Sequence, residues 1–327
     1  MQAWQVTRHG EPEDVLELAE APTPAPGPGQ LLVRVLAAAA NFPDVLLCRG
    51  SYQVRVPLPF TLGVELCGRV EAVGPGVAGF APGDRVIGDA LLPDGAFADY
   101  AIMEASTTLP APAVLDDAEA APFYITYQTG WLGLRRRARL RAGETLLVHA
   151  AAGGVGSAAV QLAKAAGARV IGVVGGPAKA AVARELGCDV VVDRHQDDFV
   201  PVVKGATGGR GADVVFDPVG GEAFRRSTKC IAFEGRIIVV GFASGQIESA
   251  ALNHALVKNY SIIGLAGGAY KHAQPAGLRD RHAELTKLAA AGKLRPLISE
   301  RLPMADVPTG LRRLADGATV GRVVFIP

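Results

Sequence analysis

The residues of this chain with the clearest chemical potential run from His149 to Ser157, His-Ala-Ala-Ala-Gly-Gly-Val-Gly-Ser. They contain Ala151-x-Gly153-x-x-Gly156, and a small residue at each place has a mechanical consequence. Ala151 allows a tight turn, Gly153 lets the backbone approach a pyrophosphate, and Gly156 lets a helix lie close on the preceding strand. Gly154 and Val155 lie in the turn that leads into that helix, whose N-terminal N–H groups can meet an anion. A glycine triplet alone is a weak signal; it becomes strong between a strand and a helix. Both flank it here: an apolar strand, Thr145-Leu146-Leu147-Val148-His149, and a helix from about Ser157 to Ala166 with Val160, Leu162 and Ala163 on its apolar side. The plain alternative is a tight strand-to-helix turn with no ligand.

The next segment bears on which dinucleotide such a turn would take. A unit that binds NAD usually carries Asp or Glu at the end of its second strand, accepting from the ribose 2′-OH. About twenty residues past the glycines this chain reads Val174-Gly175-Gly176-Pro177-Ala178-Lys179, with no carboxylate. That absence leaves room for a 2′-phosphate beside Gly175. Lys179 falls in the first turn of the following helix, and Arg194 lies just after the third strand. Each alone reads as a solvated surface cation; together with the missing acid they predict NADPH rather than NADH.

The elements that must position these residues follow the same rhythm. After Thr145, apolar β-branched strands alternate with helices: Arg169–Val174, a helix Pro177–Leu186 stopped by Gly187, Val190–Val192, Asp213–Asp217 and Arg236–Gly241. Continuous apolar runs of this kind are buried on both faces, as in a parallel sheet covered by helices. The first third differs. A stiff Pro22–Gly29 linker precedes a strand at Leu31–Leu36, and short strands at Gly68–Gly74 and Asp84–Gly88 are set off by Pro-Gly turns, which suggests a compact β-barrel. The texture changes near residue 122. A helix at about Arg279–Ala291 and a last strand at Arg322–Ile326 are too little for a third domain, so we expect them to return to the first.

Bulk composition narrows the function classes. With 327 residues, 49% hydrophobic and 20% charged, the chain suits two globular domains. A net charge of +1 supplies no field for nucleic acid. No apolar stretch is long enough for a bilayer, and the polar N-terminus lacks a signal-peptide core. The four cysteines, Cys48, Cys67, Cys188 and Cys230, form no C-x-x-C. A reduced cytoplasmic protein with partly buried thiols is expected.

These pieces, taken in order, resemble the zinc-independent quinone oxidoreductases of the medium-chain dehydrogenase/reductase superfamily over essentially the whole chain. The matching stretches are Ala40–Asp44 with Arg49–Tyr52, Gly63–Val70, Gly83–Val86, Gly143–Ala150, the Ala-Gly-Gly-Val-Gly turn, Asp217–Gly221 and Gly321–Val324. The resemblance implies an α/β protein with a GroES-like β-barrel catalytic domain at residues 1–122 and 265–327. It implies a Rossmann doubly wound parallel sheet domain at 123–264, with the nicotinamide of NADPH in a cleft between them. Homodimers joined through the sheet edge are common in the family, and Ser261-Ile262-Ile263-Gly264 is the segment expected on that edge. Zinc-bearing relatives hold their metal at positions matching Asn41, Val64 and about Ile125, none of them a good zinc ligand here.

For the site, the resemblance places Asn41 beside the nicotinamide and reacting centre, with Asp44 near it, and Thr129 near the cofactor ribose and phosphates. Asn41 could equally cap a helix. Tyr52 is the candidate donor to the substrate oxygen, though it could simply pack on the barrel. Tyr124 and Tyr127 read more readily as packing. Gly241, Phe242 and Ala243, and Leu265, Ala266 and Gly267, follow strands at the carboxyl edge and should face the nicotinamide. Asp217 reads as a helix cap, and His254 and His272 as structural. The expected substrate is a quinone or conjugated carbonyl compound, already a good hydride acceptor. An enoyl or alkenal reductase is the rival activity, and an NADPH-binding regulatory protein without turnover the rival of another class.

Overall fold

The computed structural model describes residues 1–327, the side chains of His272 and Ala276 excepted, so the reading of His272 lies outside the described residues. The chain forms two compact units, Met1–Ile125 with Lys271–Pro327, and Thr126–Tyr270.

In the second unit, six strands form one sheet: Thr145–His149, Arg169–Val174, Val190–Asp193, Ala212–Asp217, Ile231–Val239 and Ser261–Gly264. Numbered along the chain, their spatial order is 3-2-1-4-5-6, and every pairing is parallel. This is the doubly wound order whose chain reversal lies between the first and fourth strands. Leu147, Ile171, Val215 and Ile237 are fully buried in its core, each stabilising the fold by about 1.5–3 kcal/mol. Ser261–Gly264 pairs on one side only and is the sheet edge. The helix after the glycine turn runs Gly154–Ala165, three residues earlier than the expected start.

In the first unit the long strand Gln30–Ala39 is central. It pairs antiparallel with Glu65–Val73, Tyr100–Glu104 and Arg322–Ile326. The C-terminal strand joins the N-terminal sheet, with Val324 opposite Ala39. The helix expected at about Arg279–Ala291 runs Ala276–Ala290, and a further strand, Ile298–Pro303, and helix, Val307–Ala315, follow it before the last strand. The N-terminal residues, which show no clear strand pattern, form a strand Gln2–Val6 in a separate three-stranded sheet, where Ala3 and Val6 are buried.

Candidate functional site

The glycine turn owes its shape to its smallest residues. Ala150, rather than Ala151, takes the left-handed conformation, with φ of 50°, and Gly153 N–H donates to its carbonyl at 2.8 Å. A Cβ on Gly156 would run into that same Ala150 oxygen, and one on Gly153 would sit 3.1 Å from it. Only glycine lets the helix start so close to the strand. Gly153 is the N-cap and no side chain caps this helix end, while Gly153, Gly154 and Val155 remain partly exposed. The first-turn N–H groups are therefore available to an anion.

The second strand ends at a cationic corner. A Cβ on Gly175 would meet the Arg194 guanidinium carbon at 3.0 Å and the His195 ring at 3.2 Å, so the guanidinium lies over the glycine. Lys179 is near enough that Arg194 depresses its basicity, second to the effect of burial. The closest carboxylate, Asp193, turns Oδ1 to the N–H groups of Gly176 at 2.8 Å and His195 at 3.1 Å. Those bonds hold its carboxyl below the usual range and fix the loop carrying the cations.

The remaining loops of this unit gather at the carboxyl ends of the strands. Asp217 Oδ1 accepts from Val219 and Gly220 N–H at 2.8 and 2.9 Å, which folds the turn before the helix Glu222–Ser227. Ala243 N–H reaches Pro218 O, and Phe242 packs against Gly220. Leu265 N–H donates to Val239 O, and Thr129 Oγ1 lies against Gly267. Thr129, Gly241–Ala243 and Leu265–Gly267 are thus placed around one sheet edge.

In the first unit, Asn41 begins the helix Phe42–Cys48. Its backbone N–H donates to Asp44 Oδ2 at 2.8 Å, and Val64 N–H donates to Asp44 Oδ1 at 3.1 Å. Asp44 is therefore committed to shaping this turn. The Asn41 amide gives its two N–H groups to Ala39 O and Glu65 Oε2, both at 3.0 Å. Its oxygen, which faces the Asp44 N–H in the capping box of this helix, keeps a second lone pair for a ligand, so Asn41 can accept from a hydroxyl but has no donor left. Glu65 also takes Ile125 N–H at 2.6 Å and Arg322 Nη2 at 2.7 Å. Burial pushes Glu65 and Asp44 each up to about 7, with Arg322 pulling both the other way. Two buried carboxylates share one buried cation.

Residues 27–113 match the alcohol dehydrogenase GroES-like domain family, and residues 154–281 the zinc-binding dehydrogenase family. The quinone oxidoreductase-like protein 2 homolog of Nematostella vectensis is 37% identical over 301 residues, which cover 91% of this chain and 82% of that protein. The chain belongs to the quinone oxidoreductase-like family of the medium-chain dehydrogenase/reductase superfamily. It is an NAD(P)-dependent oxidoreductase. Among solved structures, Escherichia coli quinone oxidoreductase complexed with NADPH matches with a TM-score of 0.93 at 30% identity, covering 100% of both chains. A Pseudomonas syringae quinone oxidoreductase matches with a TM-score of 0.91 at 33% identity, covering 100% of this chain and 99% of that one. The chain is also 34% identical over 311 residues to a Mycobacterium tuberculosis phthioceranic/hydroxyphthioceranic acid synthase, of which those residues make up 14%.

Within this quinone oxidoreductase-like chain, the three positions expected from zinc-bearing relatives carry an amide already engaged with Glu65 and two hydrocarbon side chains. That donor set does not fit zinc. Among the described residues no group of three or more His, Cys, Asp or Glu gathers to hold a metal ion. Tyr52 is half-buried against the core of the first unit, and burial, then the Asp89 charge, raises its phenol above the usual value. Tyr127 donates to Gln161 at 3.0 Å, a packing contact. His254 stacks edge-on near Tyr260. Sequence reasoning missed His195, Asp193 and Asp89, while Lys271 falls in the segment Ala269–Pro275, which reads from sequence as an insert that could shape the substrate entrance. Cys48 is fully buried, and burial pushes all four thiols up to about 12. In the native protein, a thiol-titrating disulfide reagent at neutral pH should label none of them quickly, and all four after unfolding.

Proposed function

We propose that this chain is an NADPH-dependent, zinc-free quinone reductase. The observation that carries the cofactor choice is the corner at Gly175, where a guanidinium lies over a glycine, Lys179 stands within its electrostatic reach, and Asp193 turns Oδ1 to backbone. The glycine turn takes the pyrophosphate on the N–H groups of Gly154 and Val155. Lys179 and Arg194 take the 2′-phosphate. Thr129 and the backbone of Gly241–Ala243 and Leu265–Gly267 line the ribose and nicotinamide. When bound, NADPH supplies a hydride. Asn41 orients by accepting from a hydroxyl, and Tyr52, kept protonated, donates to a substrate oxygen. Without a Lewis acid the acceptor must be electron-poor from the start, which favours a quinone.

An activated C=C reductase is the second reading, because an enone presents the same vinylogous carbonyl; the similarity to a segment of a phthioceranic/hydroxyphthioceranic acid synthase favours keeping it. A panel of 1,4-benzoquinone, a 2-alkenal and an enoyl thioester separates the two. Quinone turnover exceeding the others supports the first reading, and enoyl turnover alone would replace it with the second.

The edge strand supports a homodimer. Ile262 is exposed on it, and Leu252, Leu256 and Val257 are exposed on the helix Leu252–Lys258 just before. An apolar edge with open hydrogen-bonding groups is stabilised by pairing with a second copy. Sedimentation should show a dimer for the parent chain and a monomer for Ile262→Lys; a parent chain that sediments as a monomer would remove the dimer.

A further inference from the structure

Hydride addition to a quinone or conjugated carbonyl leaves an electron pair on a carbonyl oxygen, which needs a donor. Asn41 cannot be that donor, since both its N–H groups are spent on Ala39 and Glu65. The strand register shows where other donors stand. Glu65 lies directly opposite Asp89 across the antiparallel strands Glu65–Val73 and Arg85–Asp89, so both side chains project from the same face. Asp89 holds the Nζ of Lys271, a residue 182 positions further along, carried on the short helix Ala269–Ala273.

This ion pair differs from the structural one beside it. Arg322 and Glu65 keep only 7% and 0% side-chain exposure, whereas Lys271 and Asp89 keep 22% and 20%. The pair is sheltered enough to hold one geometry and open enough to be reached. A second observation points to a ligand. Tyr124 is buried, and its hydroxyl makes no well-formed hydrogen bond among the described residues, although the Asp89 carboxylate stands close enough to act on it as an acceptor. A buried hydroxyl that is poorly bonded gains a better partner when an oxygen arrives. After burial, the Asp89 charge is the chief influence on both phenols, and it stands within hydrogen-bonding reach of Tyr124. Arg281 also acts on Tyr124, and Glu65 faces it as well.

We propose that Lys271, held in place by Asp89, binds the carbonyl oxygen of the substrate and supplies its proton, with the Tyr124 and Tyr52 hydroxyls as neighbouring donors. This rests on the quinone or conjugated-carbonyl reading. The step balances: two electrons arrive with the hydride, and the displaced π pair settles on oxygen. One N–H bond of the ammonium breaks as the O–H bond forms. The neutral amine then takes a proton from water. The net change is one quinone and one proton consumed with the hydride, and one hydroquinone released.

The test uses 4-nitrophenolate, an oxyanion whose visible absorbance reports its ionised form, added to the full-length protein without nucleotide. The parent chain should bind it, Lys271→Met should bind it about tenfold or more weakly, and Lys271→Arg should recover most of the binding. Quinone turnover in Lys271→Met should fall by about 100-fold, with its melting temperature and NADPH affinity held. Asp89→Asn serves as a second variant should Lys271→Met fail to fold, and should weaken nitrophenolate binding by loosening the lysine. Nitrophenolate binding and turnover that are both unchanged in Lys271→Met and Asp89→Asn would overturn the proposal while leaving the reductase reading intact. A parent chain that binds nitrophenolate through Lys271 but reduces neither quinone nor enone would instead sink the reductase reading and keep the oxyanion site.

Discussion

Replacing Lys179 and Arg194 together by alanine should raise the KM for NADPH by about 100-fold and leave that for NADH within about twofold. Arg194 lies over Gly175 with Lys179 within its electrostatic reach, and the neighbouring Asp193 turns Oδ1 to backbone N–H groups. A charge-assisted contact to phosphate is worth about 1.5–3 kcal/mol when sheltered and less when solvated. Arg194 is exposed, so a tenfold contribution from each residue is the fair expectation. The effect should shrink at high salt, since screening weakens the exposed partner most. Steady-state kinetics with both nucleotides at two ionic strengths checks this. Equal losses for NADH and NADPH would mean that the cations hold the loop rather than the phosphate.

Arg322→Met should destabilise the first unit by about 3–5 kcal/mol, because it strands the fully buried Glu65 without its counter-charge. The loss should depend on pH in a definite direction. Burial already raises Glu65 from 4.5 to about 7, and Arg322 is the chief influence against that rise. Removing Arg322 lifts the folded pKa further above the unfolded one. A carboxyl with a raised folded pKa favours the folded state at low pH and loses that advantage as pH climbs through the folded value. The variant's deficit against the parent chain should therefore be largest near pH 8 and shrink toward pH 5. Urea unfolding at both pH values measures it. A deficit that is the same at both would mean that Glu65 does not take up a proton.

Much of the nucleotide-binding unit was legible in the sequence because its requirements are local. Val148 and Ile171 sit in continuous apolar runs that only a sheet covered on both faces tolerates, and Gly153 and Gly156 meet their strand within six residues of Ala150. The missing acid after Val174 was equally local. The first unit was less legible. Its strands are short, and Gln2–Val6 carries only two buried side chains to mark it. The polar groups that shape its site come together over long separations: Glu65 with Arg322 across 257 residues and Asp89 with Lys271 across 182. No periodicity encodes such pairs. Asn41 was ambiguous for a different reason, since an asparagine that caps a helix and one that meets a ligand look alike in sequence. Here it begins the helix and still presents its amide oxygen. Asp44, expected beside the cofactor, spends both oxygens on backbone and acts by holding Asn41.

The most direct test of the central claim is the oxidation of NADPH and NADH by the purified, metal-stripped chain with 9,10-phenanthrenequinone as acceptor. Turnover should survive removal of metal and prefer NADPH by about tenfold or more in kcat/KM, as a single well-placed charge contact would give. Turnover that needs added zinc, or a preference for NADH, would contradict that claim.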